Sequence, residues 1–158
     1  MSSDEADTAR STPLREITLR FGYLRRVALV ALNPVLAAHD LTPPGFHVLF
    51  RLATEGGELP QQELALDVEL DPAGVSRLLS RMIDRGLLTA ARDPSDRRRR
   101  IVQLTDAGRG LYERLDPEVD AAIRDVVVGL TPEEERTLLR LLDKAASATR
   151  ERELREEG

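Results

Sequence analysis

Apolar residues recur at alternating spacings of three and four along much of the chain, as in helices that bury one face. The first such stripe lies within residues 14–40 and contains Pro34, which we expect to kink or break the helix near its end. Residues 1–13 are polar without this periodicity, so they are predicted to form a flexible tail. The stripe consists of Leu14, Ile17, Phe21, Leu24, Ala28, Ala31, Val35 and Ala38.

Capping signals divide the rest of the chain into further helices. Thr and Asp accept hydrogen bonds from the free backbone N–H groups of a first turn, and proline fits the first helical position. Thr131 with Glu134 has the spacing of a capping box. Pro117 is expected to interrupt or bend the helix that contains it. The predicted starts are Thr42-Pro43, Gln61, Asp71-Pro72, Thr105 and Thr131-Pro132.

Two strand-like segments follow the fourth predicted helix. Leu87–Ala91 and Ile101–Leu104 are short and apolar, and the residues between them favour a turn, so they predict a β-hairpin. The helices at 61–66 and 71–85 are joined by a short turn and form a helix-turn-helix candidate. The predicted fold is therefore mostly α with a small β-hairpin wing: a winged helix-turn-helix flanked by amino- and carboxy-terminal helices.

These predictions divide the chain into five segments. The flexible tail, 1–13, precedes an amino-terminal helix at 14–40; a winged helix-turn-helix at 41–104 and carboxy-terminal helices at 105–150 follow; the charged end, 151–158, is expected to fray. Three helices with apolar stripes lie outside the compact winged helix. A two-fold dimer in which the terminal helices of both chains interdigitate would cover these stripes, so we expect 14–40 and 105–150 to mediate dimerisation.

Composition narrows the functional classes. The chain has no cysteine, which excludes disulfides, thiolate metal sites and thiol-based redox sensing within it. No long uncharged apolar run and no signal-peptide pattern are evident, so we expect a soluble cytoplasmic protein without membrane contact. The sequence also offers no Ser-His-Asp arrangement and no glycine-rich phosphate loop after a strand, so an enzyme is not expected.

Charge is distributed unevenly along the chain. Between Ala73 and Arg100 eight arginines accompany three acidic residues, a net charge of +5 within a chain of formal net charge −5. The hairpin tip, Arg92–Arg100, holds five of these arginines around an Asp-Pro-Ser-Asp turn. A basic face on an acidic body is typical of a protein that is steered onto nucleic acid. Double-stranded DNA is therefore the predicted partner.

The basic residues and the possible metal ligands also have simpler interpretations. The arginine-rich tip could be a solvated hairpin, and Arg81 and Arg85 could pair with Asp84 or other acidic neighbours. His39 and His47, the only histidines, could be imagined with Asp40 as a metal site, but two ligands of uncertain proximity favour a hinge residue and a helix-face residue instead. No metal site and no cofactor are predicted.

An ordered series of short motifs identifies a known family. These motifs are Leu41-Thr42 with Phe46-His47-Val48-Leu49, Gln62-Glu63-Leu64-Ala65, Val75-Ser76-Arg77-Leu78-Leu79, Arg85-Gly86-Leu87-Leu88, Arg92-Asp93-Pro94-Ser95-Asp96-Arg97-Arg98 and Leu104-Thr105-Asp106-Ala107-Gly108-Arg109. With them, the chain resembles the MarR family of bacterial winged-helix transcriptional regulators from about Leu14 to Lys144. The resemblance implies an obligate homodimer that binds a pseudo-palindrome, mostly as a repressor, and that a small molecule or another stimulus releases.

The same resemblance implies which residues touch DNA. Ala73, Gly74, Ser76 and Arg77 match the exposed start of the family's recognition helix, which enters the major groove. Asp96 and Arg98 match the wing's Asp-x-Arg, in which the aspartate positions the arginine for the minor groove. The full candidate set is Gln61, Ala73, Gly74, Ser76, Arg77, Arg81, Asp96, Arg97, Arg98 and Arg99, with Arg97 and Arg99 as phosphate contacts.

Two departures from the family pattern affect this set. Pro60 stands where the family commonly has a capping Ser or Thr, so a hydroxyl that could touch phosphate is missing. Ala73 and Gly74 replace a frequent polar pair, which leaves Ser76 and Arg77 as the main base-reading candidates and shifts selectivity towards DNA shape.

Two further hypotheses concern other partners. The family's effectors often bind between the dimerisation helices and the winged helix, and Tyr23, Phe46, His47 and Arg51 are candidates for lining such a pocket. The alternative to a DNA-binding regulator is a winged-helix protein-interaction module whose basic wing docks an acidic partner.

Overall fold

The computed structural model describes residues 3–96, 99–126 and 128–156. These residues form six helices and a three-stranded antiparallel sheet. The elements are α1 (Ser3–Ala38), α2 (Pro43–Thr54), β1 (Glu58–Pro60), α3 (Gln61–Leu66), α4 (Pro72–Asp84), β2 (Leu88–Arg92), β3 (Arg100–Leu104), α5 (Asp106–Ile123) and α6 (Pro132–Glu156). The predicted order of helices and hairpin is confirmed, and α3, α4 and the β2–β3 hairpin form a winged helix-turn-helix.

The predicted caps are formed by side-chain hydrogen bonds. The acceptors are Thr42 Oγ1 for the Gly45 N–H (3.4 Å), Asp71 Oδ1 for the Gly74 N–H (2.7 Å) and Thr105 Oγ1 for the Gly108 N–H (3.0 Å). In the capping box, the Glu134 N–H donates to Thr131 Oγ1 (3.3 Å) and the Thr131 N–H donates to Glu134 Oε2 (2.7 Å). The bond from the Thr131 backbone holds the pKa of Glu134 below its usual value. Caps are local interactions, which explains why the sequence predicts them well.

The first helix is longer and more continuous than predicted. It begins at Ser3, within the segment predicted as a tail, and continues through Pro34 to Ala38, so the expected break at Pro34 does not occur. Pro34 removes only the hydrogen bond to the Val30 carbonyl, one turn before the helix ends. Helix α5 likewise continues through Pro117, and α6 extends to Glu156.

The sheet contains one strand that the sequence pattern does not predict. The strand order is β1-β3-β2, with Leu59 of β1 opposite Val102 of β3 and Ala90 of β2 opposite the same residue. Three residues are too few to show the alternation that identifies a strand. Strand β1 forms because β3 supplies its partner, and it places Gln61 and α3 directly beside the wing.

The core lies between the sheet, α2, α4, α5 and the carboxy-terminal half of α1. The side chains with the least exposure come from every one of these elements: Leu36, Val48, Leu49, Leu52, Leu64, Leu79, Leu88, Val102 and Leu115. Gly108 is required where α5 crosses the turn before β2, because a Cβ at this position would lie 2.2 Å from the Leu87 carbonyl oxygen. Thr105 Oγ1 strengthens this crossing by donating to the Gly86 carbonyl oxygen at 2.7 Å.

The terminal helices leave large apolar side chains in solvent. Leu14 is 63% exposed, Val30 64% and Leu139 60%, and α6 contributes none of the buried core residues that the structure describes. By length and mean hydropathy (1.2), the segment Pro13–Ala38 could also cross a membrane. Helices that pack against a partner chain have the same composition, so this property alone does not indicate a membrane protein.

Candidate nucleic-acid interface

Helix α4 separates an apolar inner face from a polar outer face. Its buried residues, Val75, Leu78, Leu79 and Met82, pack into the core. Its exposed residues are Pro72, Ala73, Ser76, Arg77, Ser80, Arg81 and Asp84. The predicted contacts Ala73, Ser76, Arg77 and Arg81 are therefore all presented to solvent on one helix.

Arg77 lies beside the residue that caps its own helix. Its Nη2 is 3.8 Å from Asp71 Oδ1, and both side chains are about 70% exposed. An ion pair with this exposure contributes about 1 kcal/mol or less. The guanidinium therefore lies near the helix start in a weak, solvent-exposed ion pair.

Gly74 departs from the predicted arrangement. It is buried, and a Cβ there would lie 2.7 Å from Asp71 Oδ1 and 3.2 Å from Leu70 Cβ. The expectation that Gly74 belongs to the exposed face is therefore wrong, and its observed role is to let the turn before α4 pack closely against the first helical turn.

Gln61 lies at the start of α3, on one side of a groove that faces the wing. The groove has a volume of about 510 Å³ and is also lined by Arg99 and Arg100 at the base of the hairpin. Gln61 Oε1 is buried and has no hydrogen-bond partner among the described residues. The structure therefore places Gln61 and Arg99, two predicted contacts from distant parts of the chain, beside one groove.

The wing turn is closed by hydrogen bonds around Asp93. Asp93 Oδ1 accepts from the Ser95 N–H at 2.8 Å and from Ser95 Oγ at 2.6 Å, and these bonds hold the pKa of Asp93 below its usual value. The Asp93 N–H donates to the Arg99 carbonyl oxygen at 3.0 Å, and the Arg99 N–H donates to the Asp96 carbonyl oxygen at 2.9 Å. Asp93 thus remains ionised and fixes the turn that carries the basic residues.

The central arginines of the wing, Arg97 and Arg98, lie outside the described residues, so their predicted contacts stay predictions. Asp96 is exposed, and the structure does not place it relative to Arg98. Arg92, Arg99 and Arg100 are exposed at the base of the wing. The described part of the hairpin therefore presents three guanidinium groups to solvent.

Arg85 differs from the other basic residues of this region because it is engaged within the chain. Its Nη2 donates to the His39 carbonyl oxygen at 3.0 Å and its Nη1 donates to the Asp40 carbonyl oxygen. Asp40 has a φ of 53°, the left-handed conformation in which a helix such as α1 commonly ends. Arg85 thus links the end of α4 to the end of α1, and its partner is this turn rather than Asp84.

Comparison with known proteins agrees with this architecture. A family model described as MarR family matches residues 39–99. A helix-turn-helix-type transcriptional repressor of Mycobacterium tuberculosis strain H37Rv is 31% identical over 140 residues, covering 88% of this chain and 97% of the repressor. The chain belongs to the MarR family. The family consists of winged-helix transcriptional regulators.

Two further MarR-type comparisons define the extent of the likeness. A helix-turn-helix-type regulator of Bacillus subtilis strain 168 is 31% identical over 94 residues, and the match spans 60% of this chain and 57% of that regulator. The crystal structure of NadR in complex with 4-hydroxyphenylacetate superposes with a TM-score of 0.74 at 26% identity, over 82% of this chain and 92% of NadR. The likeness therefore includes terminal helices as well as the winged helix.

The residues predicted to line an effector pocket are only partly brought together in this MarR-family chain. Phe46 and His47 line a cavity of about 630 Å³ between α1, the start of α2 and the turn after α3. Tyr23 and Arg51 are not among its lining residues; Tyr23 is exposed, with Arg26 5.3 Å from its ring centroid. The cavity instead takes Arg25 and Asn33 from α1.

Burial controls the ionisation of His47. Desolvation lowers its pKa, while the nearby Asp67 carboxylate acts in the opposite direction and Arg51 adds to the lowering. His47 is therefore neutral near pH 7. His39, the other histidine, faces Glu118 at 3.2 Å, and no group of three or more His, Asp or Glu side chains suited to a metal ion occurs in the part of the chain that the structure describes.

Sequence reasoning missed a buried charge cluster consisting of Arg51, Asp67 and Arg150, which we call the Asp67 cluster. Arg51 Nη1 binds one carboxylate oxygen of Asp67 and Arg150 Nη2 binds the other. The side chains of Asp67 and Arg51 are only 7% and 10% exposed. Asp67 lies 16 residues from Arg51 and 83 from Arg150. No local spacing could have revealed contacts of this range.

Proposed function

We propose that the protein is a homodimeric transcriptional repressor that binds an inverted-repeat operator and is released by a small-molecule effector. The observation that carries this proposal is the exposed face of α4 beside the basic wing. Helix α4 buries Val75, Leu78, Leu79 and Met82 and exposes Ser76, Arg77 and Arg81. Arg99 and Arg100 flank the adjoining groove. Helix and hairpin together present arginines to two neighbouring surfaces of a duplex.

In this proposal arginine reads DNA in two ways. The planar guanidinium of Arg77 bonds O6 and N7 of guanine in the major groove, where a good pair gives about 1–3 kcal/mol of discrimination. At the wing, Arg98 enters the minor groove, whose potential is more negative where the groove is narrow. Arg97 and Arg99 bind phosphates, and each neutralised phosphate adds about −0.9 to the slope of log K against log salt.

Homodimerisation is supported by the terminal helices. The amino-terminal half of α1 and the outer faces of α6 expose Leu14, Ile17, Leu139 and Leu141, which a single chain leaves uncovered. A second copy of the same helices provides matching apolar faces under two-fold symmetry. The two α4 helices are then expected roughly one helical turn apart, about 34–36 Å, so half-site centres fall about 10 base pairs apart.

Release by an effector is supported by the cavity beside Phe46 and His47. It lies between α1 and the winged helix, where a bound molecule can change the angle between the two parts. NadR, which has the same fold, was crystallised with 4-hydroxyphenylacetate. We propose that a small molecule binds in this cavity. We also propose that the protein is located in the cytoplasm, where the chromosome is.

Selection of bound sequences from randomised duplex DNA at near-physiological salt tests the proposal. We expect an inverted repeat whose recovery requires Arg77 and Arg98, so Arg77→Ala and Arg98→Ala variants should lose it. Recovery of no motif, or of uniform weak binding to every duplex, would overturn the proposal. It would favour the alternative in which the basic wing docks an acidic protein.

A further inference from the structure

The Asp67 cluster joins the winged helix to α6. Arg51 belongs to α2 in the winged helix, Arg150 belongs to α6 outside it, and Asp67 is the residue on which α3 ends. Both carboxylate oxygens of Asp67 are engaged, one by each guanidinium. A single buried carboxylate therefore connects α6 to the helix-turn-helix.

The turn that contains Asp67 is packed tightly against the start of α4. Asp67 begins the turn that ends at Asp71, the residue that caps α4. Within it, Val68 is buried and the Leu70 N–H donates to the Val68 carbonyl oxygen at 2.9 Å. A Cβ at Gly74 would lie 2.7 Å from Asp71 Oδ1 and 3.2 Å from Leu70 Cβ, so the turn and the first turn of α4 are in close contact. A displacement of this turn would therefore be felt at the first turn of α4.

The charges in the cluster make this connection sensitive to the loss of either partner. The Asp67 side chain is 7% exposed and Arg51 is 10% exposed, while Arg150 is 32% exposed. Charges removed from water are strongly disfavoured unless they are paired. Without the carboxylate, two guanidinium groups would face each other in a poorly hydrated space, and Arg150 would move towards solvent.

We propose that Asp67 and Arg150 are positioning residues for DNA recognition: by clamping the turn before α4 to α6, they set the orientation of the recognition helix relative to the dimer. This inference rests on the proposed function, because α6 carries part of the dimer interface there. In a dimer the two α4 helices are connected through the α6 helices, so each clamp also fixes the spacing between the half-sites that are read.

The test compares operator binding with non-specific binding for the full-length chain. Asp67→Asn keeps the size of the side chain and removes its charge. We expect its affinity for the selected inverted repeat to fall at least about ten-fold, the lower range for one misplaced base contact. Its affinity for random duplex and the corresponding salt slope should stay unchanged, because the arginines that touch phosphate are retained.

Half-site spacing gives a readout that a merely structural role would not alter. Wild-type protein should prefer one spacing, whereas Asp67→Asn should accept repeats lengthened or shortened by one base pair almost equally. Arg150→Met should show the same pattern without disturbing the core, because Arg150 is only partly buried on α6. Arg150→Lys keeps the positive charge and should retain part of the preference for one spacing. Arg140→Met changes an exposed arginine on the same helix and should behave as wild type.

Two results separate the failure of this inference from the failure of the proposed function. If wild type selects an inverted repeat, but both variants keep its affinity and its spacing preference while only their melting temperatures fall, the positioning role is overturned. If wild type selects no repeat, the proposed function itself fails, and the positioning role fails with it.

Discussion

The winged helix differs from the amino-terminal half of α1 and from α6 in how far its apolar side chains are buried. In the winged helix the large side chains of α2, α4 and the sheet meet in a core in which Leu49, Leu52 and Val102 have no exposed surface. Along the amino-terminal half of α1 and along α6, side chains of the same types remain largely exposed. Burial of apolar surface is the main driving force of folding, and this burial is complete in the first region and incomplete in the second.

This comparison separates the part of the molecule that one chain buries from the part that is proposed to pack against a second chain. The winged helix closes its core together with α5, which crosses the turn before β2 at Gly108, and with the carboxy-terminal half of α1, all within a single chain. The amino-terminal half of α1 and α6 leave apolar side chains exposed in a single chain, and a second copy is proposed to cover them. Stability of the winged helix and assembly of the dimer should therefore respond to different substitutions.

Leu139→Glu should have the largest effect, because it places a charge in the apolar face proposed to bind the partner chain. We expect dimer affinity to fall by at least about 100-fold, or about 2.7 kcal/mol. Sedimentation velocity over a range of protein concentrations measures this loss. Arg140→Glu introduces the same charge one residue further around α6 and should leave the dimer nearly intact. Equal dissociation of both variants would argue against the assigned interface.

Gly108→Ala should break the winged helix instead. The new methyl group would lie 2.2 Å from the Leu87 carbonyl oxygen, so the crossing must open, at a cost of about 3 kcal/mol or more. Urea unfolding followed by circular dichroism measures this cost. Gly110→Ala in the same helix meets only the flexible end of Arg114 at 3.5 Å and should stabilise the protein by about 0.5–1 kcal/mol. A harmless Gly108→Ala would contradict the described crossing.

Arg77→Ala should reduce operator recognition without affecting either the fold or the dimer. We expect a loss of about 1–3 kcal/mol for the inverted repeat, because the substitution removes the proposed guanine contact. Fluorescence anisotropy measures the affinity for the selected repeat and for random duplex, and the difference between the two losses gives the loss of specific binding. Arg114→Ala, an exposed arginine on α5, serves as the control. A variant that keeps full discrimination would exclude Arg77 as a base-reading residue.

His47 lies at the border between the two regions and should give the smallest effect. Its pKa is lowered in the folded chain by burial, so the unfolded chain binds the proton more readily. Stability from neutral His47 is therefore complete above about pH 6.5 and declines below it, by no more than about 1.4 kcal/mol per pH unit. Comparing unfolding at pH 7.5 and 5.5, we expect the decrease to be smaller in His47→Gln. An identical decrease in both proteins would contradict this assignment.

The parts of the structure that local interactions determine were predictable from the sequence. The caps at Thr42, Asp71, Thr105 and Thr131 involve residues three positions apart, and each is confirmed. The hairpin and the exposed arginines of α4 follow equally well from short-range patterns. Residues separated by a few positions interact whatever the rest of the chain does, so their signals survive in the sequence.

The features that the sequence did not indicate depend on distant partners. Strand β1 exists because β3 pairs with it, and the Asp67 cluster exists because α6 returns to the turn after α3. Gly74 was assigned to the exposed face by the family resemblance, which does not indicate the approach of Leu70 and Asp71. Pro34 was expected to kink or break α1 near its end, yet the helix continues to Ala38, where Leu36 packs into the core.

The short first strand has a further consequence for behaviour at high concentration. Strand β1 lies at an edge of the sheet, and an edge with free N–H and carbonyl groups can template the strand of another molecule. Pro60 ends β1 and has no N–H to offer, and three residues provide too little length for such pairing. Pro60, which stands where the family commonly has a hydroxyl residue, therefore protects the β1 edge of the sheet against pairing with a strand of another molecule.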